Sequence, residues 1–238
     1  MISINGSEDG PVTEIVRMKL RGGIRVGDLE GEGEYARIWR ETLDTVASQK
    51  GYTDSSYGAV IEEKEDEVLV WCIDWTSLAH HKSFMDSPAY PSFLENLKPI
   101  MESPEIIHVE KLNVKGVIGK GVMEVTTFFD VEDILIEGMK KFITAVQNLH
   151  TENKIAGYLG VVNYGEVIGK IARNGDAKEE EKGRGLVFIV GWENLAAHMA
   201  FQKTQDFRDT TEHLSKGSSG FEMVSLVSFL RLMFLEMI

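Results

Sequence analysis

Residues 68–84 read VLVWCIDWTSLAHHKSF, and residues 186–201 read LVFIVGWENLAAHMAF. In both stretches an apolar run ends in a tryptophan, which is followed after three, four, six and nine residues by leucine, alanine, histidine and phenylalanine. The matched pairs are Trp75 and Trp192, Leu78 and Leu195, Ala79 and Ala196, His81 and His198, and Phe84 and Phe201. Self-similarity in a fixed order indicates an internal repeat.

Weaker matches keep the same order on either side of these stretches. Tyr57-Gly58 corresponds to Tyr164-Gly165. The run VTEIV at residues 12–16 corresponds to the run MEVTT at residues 123–127. The repeat divides the chain into an N-terminal tail at residues 1–10, a first repeat at 11–114, a linker at 115–120 and a second repeat at 121–238.

Each repeat has the pattern of a βαββαβ unit. A β-branched strand precedes a helix with an apolar stripe at 3.6-residue spacing, and two more strands, a short helix and a closing strand follow. Ser77 and Asn194 stand where the short helices begin and are good N-cap residues. The strand at 68–75 is apolar on both faces, so it needs a cover on both sides. We therefore predict an α+β fold in which two ferredoxin-like repeats pack sheet to sheet as one intramolecular barrel.

Composition excludes several classes of protein. A chain of 238 residues with 43% hydrophobic and 26% charged residues is typical of a globular protein with a sizeable core. The net charge of −13 repels phosphate backbones, so no nucleic-acid partner is expected. The sequence has neither a signal-peptide pattern nor a membrane-spanning run, which predicts a cytoplasmic protein without a membrane partner. The single cysteine, Cys72, is expected to be a buried structural thiol.

The motif from Trp75 to Phe93, WxxLAxHxxFxxSPAYxxF, resembles the dimeric α+β-barrel superfamily. It is most similar to the antibiotic-biosynthesis-monooxygenase-like and stress-responsive A/B-barrel branches, and it recurs in weaker form from Trp192 to Phe207. The resemblance covers nearly the whole chain, once per repeat, and implies a tandem, fused form of a barrel that is normally built from two chains. Such relatives include cofactor-independent oxygenases, polyketide cyclases, haem-degrading enzymes and proteins without a known reaction.

His81 and Tyr90 are the candidate catalytic residues. An imidazole can exchange a proton near neutral pH, although a packed histidine that only stabilises its helix is an alternative. The resemblance places the catalytic histidine of some polyketide cyclases at the position of Tyr90, where the second repeat has Phe207. Asp74 could orient a histidine or interact with the helix that follows, and its counterpart is Gly191. The first repeat is thus expected to carry any activity, and the second to complete the barrel.

Aromatic side chains offer a wall for a flat ligand, or else belong to the core. The candidate substrate-binding residues are Trp39, Tyr52, Trp75, Tyr158, Trp192 and His198. No motif has the spacing of a metal site. The stretch from Gly31 to Ala36, GEGEYA, mimics a dinucleotide fingerprint, but the neighbouring glutamates would repel a pyrophosphate, so neither metal nor cofactor is predicted.

Three functions remain open from the sequence. The first is a small-molecule pocket protein that acts as a cofactor-independent monooxygenase on an aromatic or polyketide-like metabolite. The second is a non-catalytic ligand-binding or stress-associated barrel protein, and the third is a polyketide cyclase-like enzyme. Haem binding would show itself as a red protein on purification. A homo-oligomer is compatible with the sequence but is not required by it.

Overall fold

The computed structural model describes residues 9–62, 67–102, 104–112, 114, 121–173 and 177–229. The predicted linker at 115–120 and most of the predicted tail lie outside the described residues. The strands are β1 Val12–Lys19, β2 Tyr52–Val60, β3 Val68–Trp75, β4 Glu105–Glu110, β5 Val122–Phe129, β6 Tyr158–Glu166, β7 Gly185–Trp192 and β8 Gly220–Phe229. The helices are α1 Glu34–Ala47, α2 Leu78–Met85, α3 Tyr90–Leu97, α4 Asp133–Thr151, α5 Leu195–Gln202 and α6 Gln205–Thr211.

The predicted order of elements is confirmed in both repeats, with one addition. The Ser77 side chain accepts a hydrogen bond from the backbone N–H of His80, and the Asn194 side chain accepts one from the N–H of Ala197, so both predicted N-caps are present. The addition is a second short helix, α3 or α6, after each of these helices. Pro88 disfavours helical geometry in the preceding residue and so separates α2 from α3. None of the helices in the described part of the chain is long and apolar enough to cross a membrane.

The eight strands form one antiparallel sheet in the order β4-β1-β3-β2-β8-β5-β7-β6. Its first four strands belong to the first repeat and its last four to the second. At one seam β2 pairs with β8, from Tyr57 opposite Phe229 to Val60 opposite Leu226. At the other seam β4 meets β6 through a bridge between Val109 and Val167. Each seam therefore joins the second strand of one repeat to the last strand of the other, which closes the sheet into a barrel.

Alternation along the strands divides the core into three layers. In β3, Leu69, Trp71, Ile73 and Trp75 face the helices of the first repeat, and Val68, Val70 and Cys72 face the barrel interior. The interior cluster draws on both repeats and is made of Ile15, Val60, Val68, Val70, Cys72, Val109, Leu112, Val114, Met123, Val125, Val167, Val187, Ile189 and Leu226. A third cluster packs the helices of the second repeat on its sheet. The predicted sheet-to-sheet packing is confirmed.

Cys72 lies fully buried within this interior cluster. Burial, and to a smaller extent the charge of Asp74, raises the pKa of the thiol to about 12. A thiol with this pKa stays protonated at neutral pH and is a poor nucleophile. The interpretation of Cys72 as a structural residue is thereby confirmed.

The matched glycines of the repeat lie at the two seams. A Cβ atom at Gly58 would stand 2.2 Å from the carbonyl oxygen of Val227 in β8, and a Cβ at Gly165 would stand 2.0 Å from the carbonyl oxygen of Glu110 in β4. Only a residue without a Cβ allows the backbones to come this close. The Tyr-Gly pairs that mark the repeat in the sequence thus mark the places where the two halves meet.

Gly165→Ala should therefore weaken the closure of the barrel. The added methyl group meets a backbone carbonyl rather than a flexible side chain, so we expect a loss of at least about 2 kcal/mol in the free energy of unfolding. Chemical denaturation of the full chain measures this loss. Gly31→Ala is the control because a Cβ at Gly31 meets nothing within 4 Å. Equal stabilities of the two variants would contradict the close-approach argument.

Candidate functional site

A polar cluster lies between the sheet and the helices of the first repeat. Glu14 of β1 and His108 of β4 are direct neighbours across an antiparallel strand pair, so their side chains share a face. Trp75 ends β3 on the other side of β1. The helix α2 starts three residues after Trp75 and folds back over it, which stacks the His81 ring on the indole at 4.9 Å between centroids.

The four side chains are connected by short polar contacts. The Trp75 Nε1–H group donates a hydrogen bond of 3.1 Å to Glu14 Oε2. His81 Nε2 lies 3.4 Å from the same oxygen, and His81 Nδ1 lies 2.8 Å from His108 Nε2. Glu14 and His81 are only 5% and 3% exposed, so little water competes for these contacts. Four elements of the first repeat thus build one polar chain, which is buried at Glu14, Trp75 and His81 and half-buried at His108.

Burial shifts the proton affinities of this cluster. It raises the pKa of Glu14 to about 7, against which the Trp75 hydrogen bond acts in the lowering direction. Burial, and then His108, lowers the pKa of His81 to about 3, and burial, and then Lys82, lowers that of His108 to about 4. Both imidazoles are therefore uncharged at neutral pH, and one ring donates its N–H to the other. Although His81 lies within ion-pair distance of Glu14, this contact joins a carboxyl group to a neutral ring.

A cavity opens beside this cluster. The cavity has a volume of about 40 Å³, which is enough for a few waters. Ile106 lines the cavity and is 42% exposed, so this side faces solvent. The lining residues are Glu14, Val16, Met18, Val46, Trp71, Ile73, Trp75, His81, Phe84, Tyr90, Phe93, Leu94, Leu97, Met101, Pro104 and Ile106.

Tyr90 is half-buried at the first turn of α3 and packs edge-on against Phe84, with 5.2 Å between ring centroids. Burial, and then the charge of Glu14, raises the pKa of its phenol above the usual range. Tyr90 is therefore a hydrogen-bond donor at neutral pH. It lines the same cavity as Glu14 and His81, so the structure brings the two predicted catalytic residues to one pocket.

The second repeat contains a counterpart of part of this cluster. The Trp192 Nε1–H group donates a hydrogen bond of 3.3 Å to Glu124 Oε2, and His198 Nε2 lies 3.0 Å from that oxygen. The His198 ring stacks on Trp192 at 5.1 Å. A Glu–Trp–His arrangement therefore occurs in both halves, with a carboxylate from the first strand of each.

Two positions separate the repeats chemically. Ser225 stands opposite Glu124, where the first repeat has His108 opposite Glu14. His198 Nδ1 is buried without a hydrogen-bond partner among the described residues, whereas His81 Nδ1 contacts His108. Phe207 packs edge-on against Phe201 as Tyr90 does against Phe84. At these matching positions, the second repeat thus has a serine in place of the second imidazole and a phenylalanine in place of the phenol.

Asp74 does not belong to this cluster, which corrects the interpretation that it orients a histidine or acts on the following helix. Its carboxylate accepts a hydrogen bond from the Thr13 hydroxyl. It adjoins Trp75 in a strand, so the two side chains point to opposite faces of the sheet. The contrast between Asp74 and Gly191 therefore concerns the barrel interior, and Glu14 supplies the carboxylate beside His81.

The other predicted binding residues are spread over both repeats. Trp39 is buried and packs edge-on against Tyr57 and Trp71 beneath α1, and Tyr52 contacts Trp75 edge-on at 6.4 Å. Of the predicted residues, the cavity lining includes Trp75, His81 and Tyr90. Tyr158, Trp192 and His198 lie together in the second repeat. Burial raises the pKa of Tyr158 to about 12.

Glu14 and His108 were not selected from the sequence. A signal existed for Glu14, because a charged residue recurs at the matching position, Glu124, in an otherwise apolar strand. No local signal existed for His108, whose neighbour is set by strand register. Glu14, His81 and His108 offer ligand atoms within 4.8 Å of one another. Their spacing along the sequence gives no sign of this, because the three residues lie far apart in the chain. These three residues could hold a metal ion.

Comparison with known proteins supports the fold. No protein-family model and no curated protein matches the chain. A solved structure of a proposed monooxygenase from Lactobacillus acidophilus is 14% identical, with 92% of this chain and 94% of that chain covered and a TM-score of 0.53. The chain has the dimeric α+β-barrel fold.

Two further solved structures agree over a similar length. An anthrone oxidase-like protein is 11% identical, with 93% of this chain and 92% of that chain covered and a TM-score of 0.58. A proposed monooxygenase from Fusobacterium nucleatum is 13% identical, with 93% and 94% covered and a TM-score of 0.51. At such identities the likeness concerns the fold, and a reaction has to be argued from the site.

Proposed function

We propose that the chain is a small-molecule enzyme that oxygenates an aromatic substrate without a bound cofactor, in the cavity of the first repeat. The observation that carries this proposal is that an apolar, aromatic-lined cavity adjoins the Glu14–His81–His108 cluster and the Tyr90 phenol. A few convergent polar groups in an apolar pocket are typical of catalytic sites. The small cavity can hold the reacting edge of a ring system. The rest of the substrate would extend toward the solvent-facing side at Ile106.

The first chemical step is proton removal. Glu14 and His81 both line the cavity, so this pair can accept an acidic C–H or phenolic proton from a substrate placed there. The contact of 2.8 Å between His81 and His108 offers the proton a path away from the substrate. Tyr90 can donate a hydrogen bond to a substrate oxygen on which negative charge develops.

The second step uses dioxygen. An electron-rich aromatic anion can itself pass electrons to oxygen, so the protein has to bind, orient and deprotonate. With anthrone as the test substrate, the methylene carbon becomes a carbonyl, one oxygen atom enters the product, and the other leaves as water with the two methylene hydrogens. Anthrone and one dioxygen thus give anthraquinone and one water.

Oxygen uptake by the full chain, treated with EDTA and supplied with anthrone, tests the proposal. We expect Tyr90→Phe, which copies the second repeat's Phe207, to lower the rate by roughly 100-fold because a donor to the developing oxyanion is lost. Tyr35→Phe is the control, since Tyr35 is 41% exposed on α1. No anthrone-dependent uptake, or equal rates for both variants, would contradict this proposal.

Native mass spectrometry of the freshly purified protein addresses the substrate. An aromatic metabolite retained by the wild-type chain would identify the ligand class. Retention of such a molecule without any oxygen uptake would favour the non-catalytic ligand-binding alternative.

For the organisation of the chain, we propose that residues 11–114 and 121–238 are tandem copies of one ancestral unit. The matched Glu–Trp–His arrangements and the matched seam glycines support this proposal. The first copy then holds the active pocket, and the second mainly completes the barrel.

A further inference from the structure

We infer that Glu14, His81 and His108 form a binding site for a divalent transition-metal ion of the zinc class. Two imidazole nitrogens and one carboxylate oxygen are a donor set that zinc and its neighbours accept. The three side chains come from β1, α2 and β4, and their ligand atoms lie within 4.8 Å of one another. The inference is independent of the proposed function, because it concerns what the cluster binds and not which reaction it supports.

Two of the three ligand atoms are already spaced as an ion requires. His81 Nδ1 and His108 Nε2 are 2.8 Å apart. At metal–nitrogen distances of about 2.1 Å they would subtend roughly 85° at the ion. This angle is near that of adjacent ligands in a six-coordinate or square-based site. Ligand atoms about 2.1 Å from one ion are about 4.2 Å apart when they are trans and about 3.4 Å apart at a tetrahedral angle, so a separation as wide as 4.8 Å has to shrink by about 0.6 to 1.4 Å.

The surroundings supply what such a site needs beyond its ligands. The Trp75 indole N–H holds Glu14 Oε2, as outer-shell donors hold ligating carboxylates in metal sites. The adjoining cavity has room for a few waters, which can fill the remaining coordination positions. In the metal-free protein the same nitrogens share a hydrogen bond, so the ion and the proton path are alternative states of one cluster.

The second repeat provides an internal comparison. It has a carboxylate and a histidine at the matching positions, with His198 3.0 Å from Glu124. Ser225 replaces the third ligand, and a serine hydroxyl is a weak ligand for zinc. We therefore expect one ion per chain, bound in the first repeat.

Calorimetric titration of the EDTA-treated full chain with Zn²⁺ tests the inference, and Co²⁺ absorption in the visible range reports ligand geometry. We expect a stoichiometry of one. His108→Ser, which copies the second repeat, and Glu14→Gln, which keeps the side-chain size, should each weaken binding by at least about 100-fold. Two variants are needed in case one of them folds poorly, and circular dichroism checks each. His198→Ala and the exposed His213→Ala are the controls and should bind Zn²⁺ like the wild type.

The inference is overturned if the wild-type chain binds no Zn²⁺, or if His108→Ser and Glu14→Gln bind it as tightly as the controls do. The latter result would place the ion on the surface. The outcome is distinct from that of the oxygenase test. A chain that oxidises anthrone after EDTA treatment but binds no Zn²⁺ contradicts only the metal site, and a chain that binds Zn²⁺ without oxidising anthrone contradicts only the proposed function.

Discussion

His81→Gln is expected to lower anthrone-dependent oxygen uptake by about 1,000-fold, because general acid–base groups typically contribute 100- to 10,000-fold. Glutamine is similar in reach, but its amide cannot relay a proton by accepting one at one nitrogen while releasing one from another, as an imidazole ring can. It interrupts the path between Glu14 and His108, both of which contact the His81 ring. The rate is measured as initial oxygen uptake at saturating anthrone.

His198→Gln is the matched control for this experiment. His198 occupies the same helical position and stacks on Trp192 as His81 stacks on Trp75. Ser225 stands opposite Glu124, in the place that the second imidazole takes in the first repeat. We expect its activity to stay near that of the wild type. Equal losses in the two variants would contradict the functional inequality of the repeats, and unfolding of His81→Gln would return His81 to a structural role.

Glu14→Gln is expected to change how the stability of the protein depends on pH. The pKa of Glu14 is raised from its ordinary value of 4.5 to about 7 in the folded chain. The folded state therefore holds this proton more tightly than the unfolded state does. The resulting stabilisation is fully present below about pH 4.5 and is lost as the pH rises through about 7. The neutral amide of glutamine does not titrate and so lacks this dependence.

The free energy of unfolding of Glu14→Gln, measured relative to the wild type by chemical denaturation, should thus rise between pH 5 and pH 8. The expected change is on the order of 3 kcal/mol in favour of the variant, since each pKa unit corresponds to about 1.4 kcal/mol. The comparison of two chains removes the contributions of His81 and His108 to first order, because both chains retain them. A difference that is constant with pH would show that the Glu14 carboxyl group is not desolvated by folding.

Much of the fold could be predicted because its causes are local. The spacing from Trp75 to His81 places a helix with a Ser77 cap directly after a strand, and this short connection brings the imidazole over the indole. The same spacing from Trp192 gives the same stack, at 5.1 Å. The extra helices α3 and α6 were not predicted, since the break between α2 and α3 depends on Pro88 within a continuous apolar pattern.

The interpretation of Asp74 was wrong, and its position next to Trp75 in a strand already argues against it. Adjacent residues in a strand point to opposite faces, so a carboxylate next to Trp75 could not share its pocket. The same alternation places Glu14 on the helix-facing side of β1, together with Val12 and Val16. The recurrence of that carboxylate as Glu124 was the available signal.

The sequence by itself determined the matched motifs of the two halves, the two apolar faces of the central strands and the Trp–His stacks, because periodicity and short-range connections decide each of them. Only the tertiary structure decided that His108 stands beside Glu14 and Ser225 beside Glu124. These neighbours are set by the register of strands far apart in the chain, and that register depends on which apolar residues the whole sheet buries rather than on the residues next to Glu14 or Glu124. The size of the cavity could not be predicted from the sequence either, since it depends on how closely three helices and a sheet pack around the polar cluster.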